Sequence, residues 1–548
     1  MAAPRFAVRS VAIIGAGSSG LTAARYIRDQ GVYDHIAVYE KRSQVGGIWN
    51  YSSRPTNQEH IPQENPYLCP DEPLLPRKGE VEAPDFPTPM YDDLHVNIPH
   101  PLMGFTDLAI RDVHEANHPD QPLPIYPHRQ TIQEYLVAYS QEVRHLIRFN
   151  TIVDGVHLLR LPKTESYIDG SAADGVAADG SDNFLDSWEI HSHNTLNDTP
   201  LVEKFDAVIV AQGHYDITFL PNISNIGAFK DAHPGVLMHS KRYRTPEPFQ
   251  GKRVIVVGNS ASGLDIASQI RDVAESPLLM SVHTPTASEG YKRLTGAEEV
   301  PEIQEFLVEE RGVRLVNGRV IRNIDAVLFC TGYLYSLPFL QREKPKSATP
   351  LGNLLSDGRR IHRLYDDMFH IDHPTLAFLC LPMKVVPFPL AQAQAALVAR
   401  VWANTLQLPS TAEMNAWERA AEEVRGPSFH LWPPGGDSAY INATHQRITT
   451  GPKSVVSRAG KEPPWWSDQL VWMREVLMPG KAKFEELGRK ATTLEELGYI
   501  YQEKSRERKE VTEVKENLDH LDSAIGLASH KAGKIGITHV VPITYSGA

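Results

Sequence analysis

Short apolar runs, most of them followed by a glycine turn, recur along the chain and predict its buried strands. The first run, 11–14, opens a strand–turn–helix–strand pattern that extends over residues 9–40. Three further runs end near a glycine in the same way: 205–210, 254–257 and 326–329. Such runs between helical segments are typical of strands in a parallel sheet that is covered on both faces. The pattern therefore predicts an α/β fold.

Between these runs the chain changes character several times. Residues 54–101 are dense in proline and predict loop or disorder, because proline fixes φ and lacks a backbone N–H. Residues 131–148 carry apolar side chains at helical spacing. The small, acidic stretch 164–187 predicts a flexible surface loop between two strands. From about 460 onward the chain is charged and predicted to be helical, and we interpret the charge run 503–516 as a solvated helix face.

Length, charge and cysteine usage narrow the class of protein. The 548 residues exceed what one hydrophobic core usually organises, so at least two domains are expected. The formal net charge of -12 provides no basic field for nucleic acid and argues against that class of partner. Cys69, Cys330 and Cys380 form no C-x-x-C pair, so neither a disulfide framework nor a metal site is expected. The N-terminus lacks a signal-peptide pattern and no stretch approaches a membrane span, which predicts a cytoplasmic protein without a membrane anchor.

The first glycine turn has the spacing of a dinucleotide-binding site. It fits the pattern G-x-G-x-x-G, and its members are Gly15, Ala16, Gly17, Ser18, Ser19 and Gly20. The first glycine permits the tight turn, the second lets a pyrophosphate approach the backbone, and the third lets helix and strand pack closely. The helix predicted over 21–30 would aim its positive dipole end at the phosphates. The next strand, 35–39, ends in Glu40, whose carboxylate can accept hydrogen bonds from ribose hydroxyls.

The residues that follow assign this first site to FAD. Gly46, Gly47, Ile48 and Trp49 come soon after Glu40, and in enzymes with two dinucleotide sites such a continuation marks the FAD site. The glycines let the chain pass along the pyrophosphate and the ribityl chain. Taken alone, Trp49 would be interpreted as a core aromatic. With the first turn beside it, we expect FAD contacts from Gly47, Ile48 and Trp49.

A second glycine turn predicts a second dinucleotide site. The turn and the start of its helix comprise Gly258, Ser260, Ser262, Gly263, Leu264 and Asp265. Ser260 replaces the middle glycine, but serine is small and its hydroxyl can bond a phosphate. The next strand, 278–282, ends without an acid at the ribose position, so nothing there would repel a 2'-phosphate. This favours NADPH over NADH, with His283, Lys292 and Arg293 as candidates to bind that phosphate.

The two turns, about 240 residues apart, imply two nested Rossmann-type domains. The predicted division is a discontinuous FAD-binding domain at 1–213 and 330–455, an NADPH-binding domain at 214–329, and a helical C-terminal extension at 456–548. Disulfide reductases share this plan but need a redox cysteine pair, which the sequence lacks. That class of enzyme is therefore excluded.

Motifs in and around the predicted NADPH-binding domain resemble those of one family. The pattern F-x-G-x-x-x-H-S-x-x-Y/F is matched at four positions: Gly235, His239, Ser240 and Tyr243. Its first position departs, since His233 stands where phenylalanine is usual. Residues 211–213 and 330–333 resemble the two strand-end hinges that carry the chain between the cofactor domains. On these motifs the stretch 9–450 resembles the flavin-containing monooxygenases, especially the soluble yeast-type members, and Tyr243 is an implied NADP contact.

The resemblance also implies flavin contacts away from the glycine turns. Residues 91–97 resemble the segment that carries the family's flavin-facing asparagine. Val96 and Asn97 are therefore implied FAD contacts, and Asn97 is the implied catalytic residue. Without the resemblance, Asn97 would be interpreted as the start of an Asx turn. Gln392 and Gln394 lie in another matching stretch, where they either approach the flavin or begin a helix; Gln394 is taken as an FAD contact.

The resemblance implies an FAD- and NADPH-dependent monooxygenase that places one atom of O2 on a soft nitrogen or sulfur of an amine, thioether or thiol. In that family the reduced flavin captures dioxygen as a C4a-hydroperoxide, which the lone pair of the substrate attacks. Two alternatives stay open. One is a Baeyer–Villiger-type ketone monooxygenase, whose signature ends in tryptophan where Tyr243 stands. The other is a dinucleotide-binding redox sensor without turnover. A homodimer is also left open.

Overall fold

The computed structural model describes residues 6–56, 59–68, 70–76, 84–162, 184–341, 348–450 and 460–503. Its strands are β1 (Ser10–Ile14), β2 (His35–Tyr39), β3 (Ile147–Arg148), β4 (Thr151–Pro162), β5 (Phe184–Asn194), β6 (Pro200–Phe205), β7 (Ala207–Val210), β8 (Ile217–Thr218), β9 (Leu237–His239), β10 (Val254–Val257), β11 (Leu279–Ser281), β12 (Glu298–Val300), β13 (Ile303–Leu307), β14 (Gly312–Leu315), β15 (Val320–Ile321), β16 (Ala326–Phe329), β17 (Tyr333–Leu334), β18 (Leu364–Tyr365), β19 (Phe369–His370) and β20 (Leu376–Phe378). Its α-helices are α1 (Ser18–Gln30), α2 (His100–Met103), α3 (Ile110–Asn117), α4 (Arg129–Tyr139), α5 (Ile226–Ala232), α6 (Ala261–Ile270), α7 (Glu289–Thr295), α8 (Pro338–Gln341), α9 (Pro387–Trp402), α10 (Thr411–Arg425), α11 (Gly436–Thr450), α12 (Asp468–Glu475) and α13 (Leu477–Glu486).

The first glycine turn follows β1, the middle one of five parallel strands in a seven-stranded sheet. The strand order is β18-β19-β20-β7-β1-β2-β3, and the five strands from β20 to β3 run parallel. Along β1, Val11 and Ile13 pack with helices α1 and α9, whereas Ala12 and Ile14 pack with the antiparallel sheet β4–β6. Alternate residues of a strand point to opposite faces, so one buried strand serves two layers. The sheet is thus covered on both faces, by helices on one and by a second sheet on the other.

The second glycine turn belongs to a five-stranded parallel sheet of the order β12-β11-β10-β16-β9. Here Val254 and Val256 pack with α6 and α7, while Ile255 packs with α5 and the antiparallel sheet β13–β15. Each unit therefore repeats one plan, in which a β–turn–α–β segment carries helices on one face and three antiparallel strands on the other. The prediction of two nested Rossmann-type units is confirmed.

The chain passes between the two sheets along two linkers that pair with each other. It leaves the first sheet after β7 and returns after β16, and β8 and β17 on the linkers are antiparallel partners, with Thr218 opposite Tyr333. Gly213 and Gly332 begin the two crossings with φ values of +76° and +83°. Glycine adopts this left-handed region without a steric penalty, which explains its place at both strand ends.

The structure corrects the single strand predicted over 205–210. Two strands, β6 and β7, occupy this run and belong to different sheets. They separate at Asp206, whose carboxylate accepts hydrogen bonds from the backbone N–H groups of Arg9 and Ser10 at 2.9 and 2.8 Å. The aspartate thus ties the start of β1 to the point where the chain changes sheets.

Two further local predictions were wrong in their bounds. The helix predicted over 131–148 is α4, which ends at Tyr139, and its last two predicted residues form β3 because they complete the parallel sheet beside β2. Strand β5 begins at Phe184, inside the stretch 164–187 that was predicted to be loop, because it pairs with β4 along its length.

Cys69 and residues 504–548, which hold most of the charge run, lie outside the described residues. Among the helices described, none combines the length and the hydropathy needed to cross a bilayer.

One arginine joins the two units where they meet. The guanidinium of Arg244 donates to the backbone carbonyls of Ser52, Lys241, Tyr243 and Thr88 at 2.7, 2.8, 2.8 and 3.2 Å. Burial lowers the pKa of Arg244 from its usual value. Because the acceptors belong to three separate stretches of chain, this side chain fixes their relative position.

We predict that Arg244→Leu destabilises the protein, because it leaves several buried carbonyls without a donor. The unmet acceptors should cost at least about 2 kcal/mol in total, which corresponds to a fall of about 2 °C in the melting temperature of a chain of this length. Thermal unfolding followed by flavin fluorescence measures this. The exposed Arg319, which pairs with Glu298 on the surface, is the control for loss of an arginine. Equal melting temperatures for Arg244→Leu and Arg319→Leu would contradict the assigned role.

Candidate functional site

The first glycine turn has a geometry that only glycine fits. Gly15 has φ of +100°, and a Cβ there would lie 2.7 Å from the carbonyl oxygen of Ala211. A Cβ on Gly20 would lie 1.8 Å from the carbonyl oxygen of Gly15. The turn, the strand β7 and the helix α1 therefore approach more closely than any side chain would permit.

The second glycine segment of this site lies against the first. A Cβ on Gly17 would be 3.6 Å from the Cα of Gly47, and the backbone N–H of Gly46 donates to the Ala16 carbonyl at 2.9 Å. Gly17 is also the N-cap of α1 and offers no side chain to its first N–H groups. These groups have no partner within a helix, so a phosphate can accept from them. The groove between Gly17 and Gly47 has the shape and donors that a pyrophosphate needs.

Glu40 stabilises this turn by accepting a hydrogen bond from its backbone. The side chain is 3% exposed, and its two carboxylate oxygens accept hydrogen bonds from the backbone N–H groups of Ala16 at 2.8 Å and Arg42 at 2.9 Å. Each oxygen has a second lone pair, so these bonds leave capacity for a ribose hydroxyl. The ribose contact stays a prediction.

The structure separates the two glutamines at the start of α9. Gln392 is used by the protein, since its oxygen accepts from the Thr106 N–H and its nitrogen donates to Asp107, both at 3.0 Å. Gln394 accepts from the backbone N–H of Cys380 at 2.8 Å, but its buried amide nitrogen has no partner among the described residues. A buried donor without an acceptor is costly, and a bound flavin with its ring nitrogens and oxygens would provide one.

The other predicted flavin contacts surround the same helix start. Trp49 is half-buried and meets the ring of Phe388 edge-on at 6.5 Å, so it forms part of the wall beside α9 and is not a free surface aromatic. Ile48 stands beside it in the same 3-10 turn. Together with the glycine groove and the unpaired Gln394 amide, these residues fit an FAD molecule.

Asn97 lies on a segment that spans both units. Val96 is buried in the first core and donates from its N–H to the Pro127 carbonyl at 2.9 Å. Six residues before Asn97, the hydroxyl of Tyr91 donates to Asp265 of the second unit. Asn97 itself is half-buried, and its side chain has no hydrogen-bond partner in the described part of the chain. The Asn97 amide thus keeps free donor and acceptor capacity, on a segment whose Tyr91 contacts the second unit.

The second glycine turn reproduces the first. Gly258 also has φ of +100°, and a Cβ on Gly263 would lie 2.0 Å from the carbonyl oxygen of Gly258. Ser260 is the N-cap of α6 with φ and ψ of -88° and -171°, close to the -75° and -172° of Gly17. Serine thus adopts the backbone conformation of the middle glycine without strain. Ser260 and Ser262 are exposed, so their hydroxyls are accessible to a phosphate.

Three residues predicted to contact NADP face inward instead of lining the open side of this turn. Leu264 is buried in the second core. Asp265 accepts from Tyr91 and from Gln269 at 3.1 Å, and burial raises the pKa of this carboxyl above its usual value. Tyr243 is 1% exposed, donates from its hydroxyl to Gln269 at 3.0 Å, and meets Tyr91 edge-on at 5.2 Å. Asp265 and Tyr243 thus bond to Gln269 within the second unit and contact Tyr91 of the first, and contact with NADP stays a prediction.

The candidates for the 2'-phosphate each have an acidic partner. His283 pairs with Glu302 at 3.0 Å, Lys292 with Glu289 at 2.7 Å and Arg293 with Glu486 at 2.8 Å. A carboxylate also approaches the end of β11 from the neighbouring strand, since Glu299 accepts from the backbone N–H of Thr286 at 3.1 Å. The sequence has no acid at the end of the strand 278–282, but the fold places acids from later in the chain beside the residues that follow this strand.

The motif around His239 has a structural role in the described residues. His239 is fully buried and donates from Nε2 to the Gly332 carbonyl at 3.0 Å, while Nδ1 accepts from the Lys241 N–H at 3.1 Å. Burial lowers its pKa to about 3, so the ring is neutral at pH 7. His233 packs its ring 4.8 Å from Phe229, which accounts for an aromatic residue at that position.

Two acidic residues in the proline-dense stretch were missed by sequence reasoning. Glu59 pairs with Arg242 at 3.0 Å, and Asp71 pairs with the buried ammonium of Lys241 at 2.8 Å. Both cations flank or belong to the His239 motif, so the loop from the first unit is fixed to the second. The signal in the sequence was weak, because these acids lie about 170 to 180 residues from their partners.

Comparison with known proteins agrees with this geometry. Residues 82–287 and 293–430 match the flavin-binding monooxygenase-like family, and residues 13–65 match the NAD(P)-binding Rossmann-like domain. The chain is 30% identical to the thiol-specific monooxygenase of Saccharomyces cerevisiae, over 85% of this chain and 90% of that protein. It is 32% identical to the flavin-containing monooxygenase FMO GS-OX-like 2 of Arabidopsis thaliana, over 79% and 83% of the two chains.

Solved structures show the same fold. The S-allyl-L-cysteine S-oxygenase of Allium sativum superposes with a TM-score of 0.62 at 24% identity, covering 90% of this chain and 98% of that one. Tmm from a Pelagibacter strain gives a TM-score of 0.60 at 22% identity, covering 86% and 90%. The chain belongs to the flavin-binding monooxygenase-like family. It is a monooxygenase whose cofactors are FAD and NADPH, which confirms the predicted family, enzyme class and cofactors.

The two glycine turns should separate the two cofactors by mutation. We predict that Gly20→Ala lowers the FAD content of the purified protein about tenfold. The added methyl group must displace the turn, and a loss of about 1.4 kcal/mol in binding free energy lowers the affinity for FAD by that factor. Gly263→Ala should keep FAD bound and raise KM for NADPH by about the same factor. The flavin-to-protein absorbance ratio and steady-state NADPH oxidation measure these effects.

Gly227→Ala is the matched control, because this glycine lies in helix α5 and a Cβ there would meet nothing within 4 Å. It should leave both cofactors unaffected. If Gly20→Ala kept its flavin and Gly263→Ala lost it, the assignment of the two sites would be reversed.

Proposed function

We propose that this enzyme uses NADPH and O2 to place one oxygen atom on a soft sulfur or nitrogen of a small substrate. The second oxygen atom leaves as water: NADPH supplies the two electrons as a hydride, and one proton from solvent supplies the second hydrogen of that water. The bound flavin supplies the redox chemistry, taking hydride from NADPH and activating dioxygen for transfer. The activity named for the yeast relative, thiol oxygenation, favours sulfur as the acceptor.

The position of Asn97 is the observation that carries this proposal. Its half-buried amide has no protein partner in the described residues and stands on the segment that joins the two dinucleotide units. Such an amide would donate to and accept from the reacting edge of a bound flavin. The neighbouring Val96 and Ile98 are 3% and 8% exposed, so core residues on both sides in the chain anchor the segment that carries the amide.

The remaining residues bind and orient. The Gly15–Gly20 turn with Gly47 would hold the FAD pyrophosphate, Glu40 its ribose, and the unpaired Gln394 amide its ring. The Gly258–Gly263 turn with Ser260 and Ser262 would hold NADPH. The domain division at residues 1–213, 214–329, 330–455 and 456–548 follows from these assignments. We further infer a cytosolic location, since Cys330 and Cys380 are free thiols that a reducing compartment preserves.

A substrate panel tests the chemistry directly. We expect the yellow protein to oxidise NADPH faster when a thioether, a thiol or a tertiary amine is added, with a product one oxygen atom heavier by mass spectrometry. Cyclohexanone is the matched probe for ketone oxygenation. Lactone formation without sulfur or nitrogen oxygenation would establish the Baeyer–Villiger alternative, and a flavin that NADPH does not bleach would establish a sensor without turnover.

Asn97→Ala tests the assigned catalytic residue. We expect FAD to remain bound and NADPH to be oxidised, while most of the flux appears as hydrogen peroxide and the rate of product formation falls about tenfold or more. Simultaneous assays of NADPH, peroxide and product measure the coupling. Asn117→Ala, at the exposed end of α3, is the control. Coupling in Asn97→Ala equal to that of the control would exclude the role.

A further inference from the structure

A C-terminal helix lies between the two dinucleotide units. Helix α13 starts 47 residues after residue 430, where the match to the family ends. On one side it contacts the first unit: Phe484 packs 5.1 Å from the ring of Tyr126, and the carbonyl of Ala491, just beyond the helix, accepts from the Ile125 N–H at 2.9 Å. Helix α13 is therefore packed against the core of the first unit and is not an appended surface helix.

The opposite side of α13 contacts the second unit. Ala482 is buried in the core of that unit, and its Cβ lies so close to Gly290 of α7 that a Cβ there would be 2.9 Å away. Glu486 pairs with Arg293, also on α7, at 2.8 Å. One helix of ten residues thus contacts both units at the place where they meet.

A buried lysine on this helix contacts the segment that carries Asn97. The side chain of Lys481 is 2% exposed, and its ammonium donates to the carbonyl oxygen of His95 at 3.3 Å, two residues before Asn97. The ammonium is paired with Glu485 and lies 5.7 Å from the ring centroid of Tyr126. Arg489 extends the cluster, since it pairs with Glu485 and with Asp93 on the same segment.

Burying this cluster has an energetic cost that apolar packing would avoid. A buried ion pair rarely adds stability over apolar side chains of similar volume, because both charges lose their hydration. What such a pair provides is direction, since a charged donor fixes the position of its acceptor more narrowly than a methyl group can. Here the acceptors are the carboxylate of Asp93, which pairs with Arg489, and the carbonyl of His95, to which Lys481 donates.

We propose that Lys481 is a positioning residue for oxygen transfer, holding the His95 carbonyl so that the Asn97 amide stands at a fixed place between the two cofactors. This inference rests on the role proposed for Asn97. Lys481 needs no contact with substrate or cofactor for this role, because it acts through the two residues of backbone between His95 and Asn97. Helix α13 would thereby help to position the site through the segment 93–97.

The test compares two lysines of the same helix in the full-length holoenzyme. Lys481→Met keeps the length of the stem and removes the donor, and we expect FAD content and KM for NADPH close to those of the unmodified enzyme. The rate of product formation should fall roughly tenfold, because a small displacement of a positioned group has effects of that order. The lost flux should appear as hydrogen peroxide. Lys483→Met, at an exposed lysine paired with Glu486, should leave coupling unchanged.

A double variant and a conservative variant decide the interpretation. If Lys481 acts through Asn97, Lys481→Met should add little peroxide to that already released by Asn97→Ala, since effects through a shared partner are not additive. Lys481→Arg keeps the charge and should restore part of the coupling. The proposal is overturned if Lys481→Met couples as well as Lys483→Met, or if its only effect is loss of bound FAD. Additive leaks would assign Lys481 a role independent of Asn97 and would also overturn the proposal. An unaffected Asn97→Ala would overturn the role of Asn97 and this inference with it, but would leave the proposed oxygenation of sulfur or nitrogen standing.

Discussion

The arrangement of the two cofactor units depends on a guanidinium that is surrounded by backbone carbonyls. Arg244 donates to oxygens on three stretches of chain, and no carboxylate is among its acceptors in the described residues. An arginine remains protonated even where burial lowers its pKa, so the charge must be satisfied by these neutral oxygens. Each stretch is held only while the others stay in place. This shared dependence makes the region where the units meet behave as a single structural element.

The glycine turns could be predicted because their constraint is local. A strand, a tight turn and a helix must approach to within van der Waals contact, and the distance from a Cβ on Gly20 to Gly15 is decided by six consecutive residues. The same holds at Gly258 and Gly263. Ser260 shows how far the pattern can change, because only the first and third positions are sterically closed. Sequence alone therefore located both turns and the parallel sheets that carry them.

The orientation of other site residues could not be predicted, because it depends on contacts distant in the chain. Tyr243 and Asp265 carry polar groups beside a cofactor motif. The Tyr243 hydroxyl nevertheless donates to Gln269, and the Asp265 carboxylate accepts from Tyr91 of the other unit. Lys481 belongs to a stretch predicted only to be charged and helical, and its partner His95 lies 386 residues away. Periodicity cannot distinguish a buried lysine from an exposed one, since both occupy polar positions. The assignment of Asn97 depended on family resemblance for the same reason.

Directional contacts, rather than apolar area, determine how the two units face each other. Apolar packing is non-directional and would allow two units of the same plan to slide or rotate at little cost. The ion pairs of Glu59, Asp71 and Arg489 and the hydrogen bonds of Arg244 reach across from separate segments, and each weakens steeply when its angle or distance changes. A reaction that must pass hydride from one dinucleotide to another needs that alignment more than it needs stability. The residues that provide it are therefore charged, half-buried and scattered far from the glycine turns predicted to bind the cofactors.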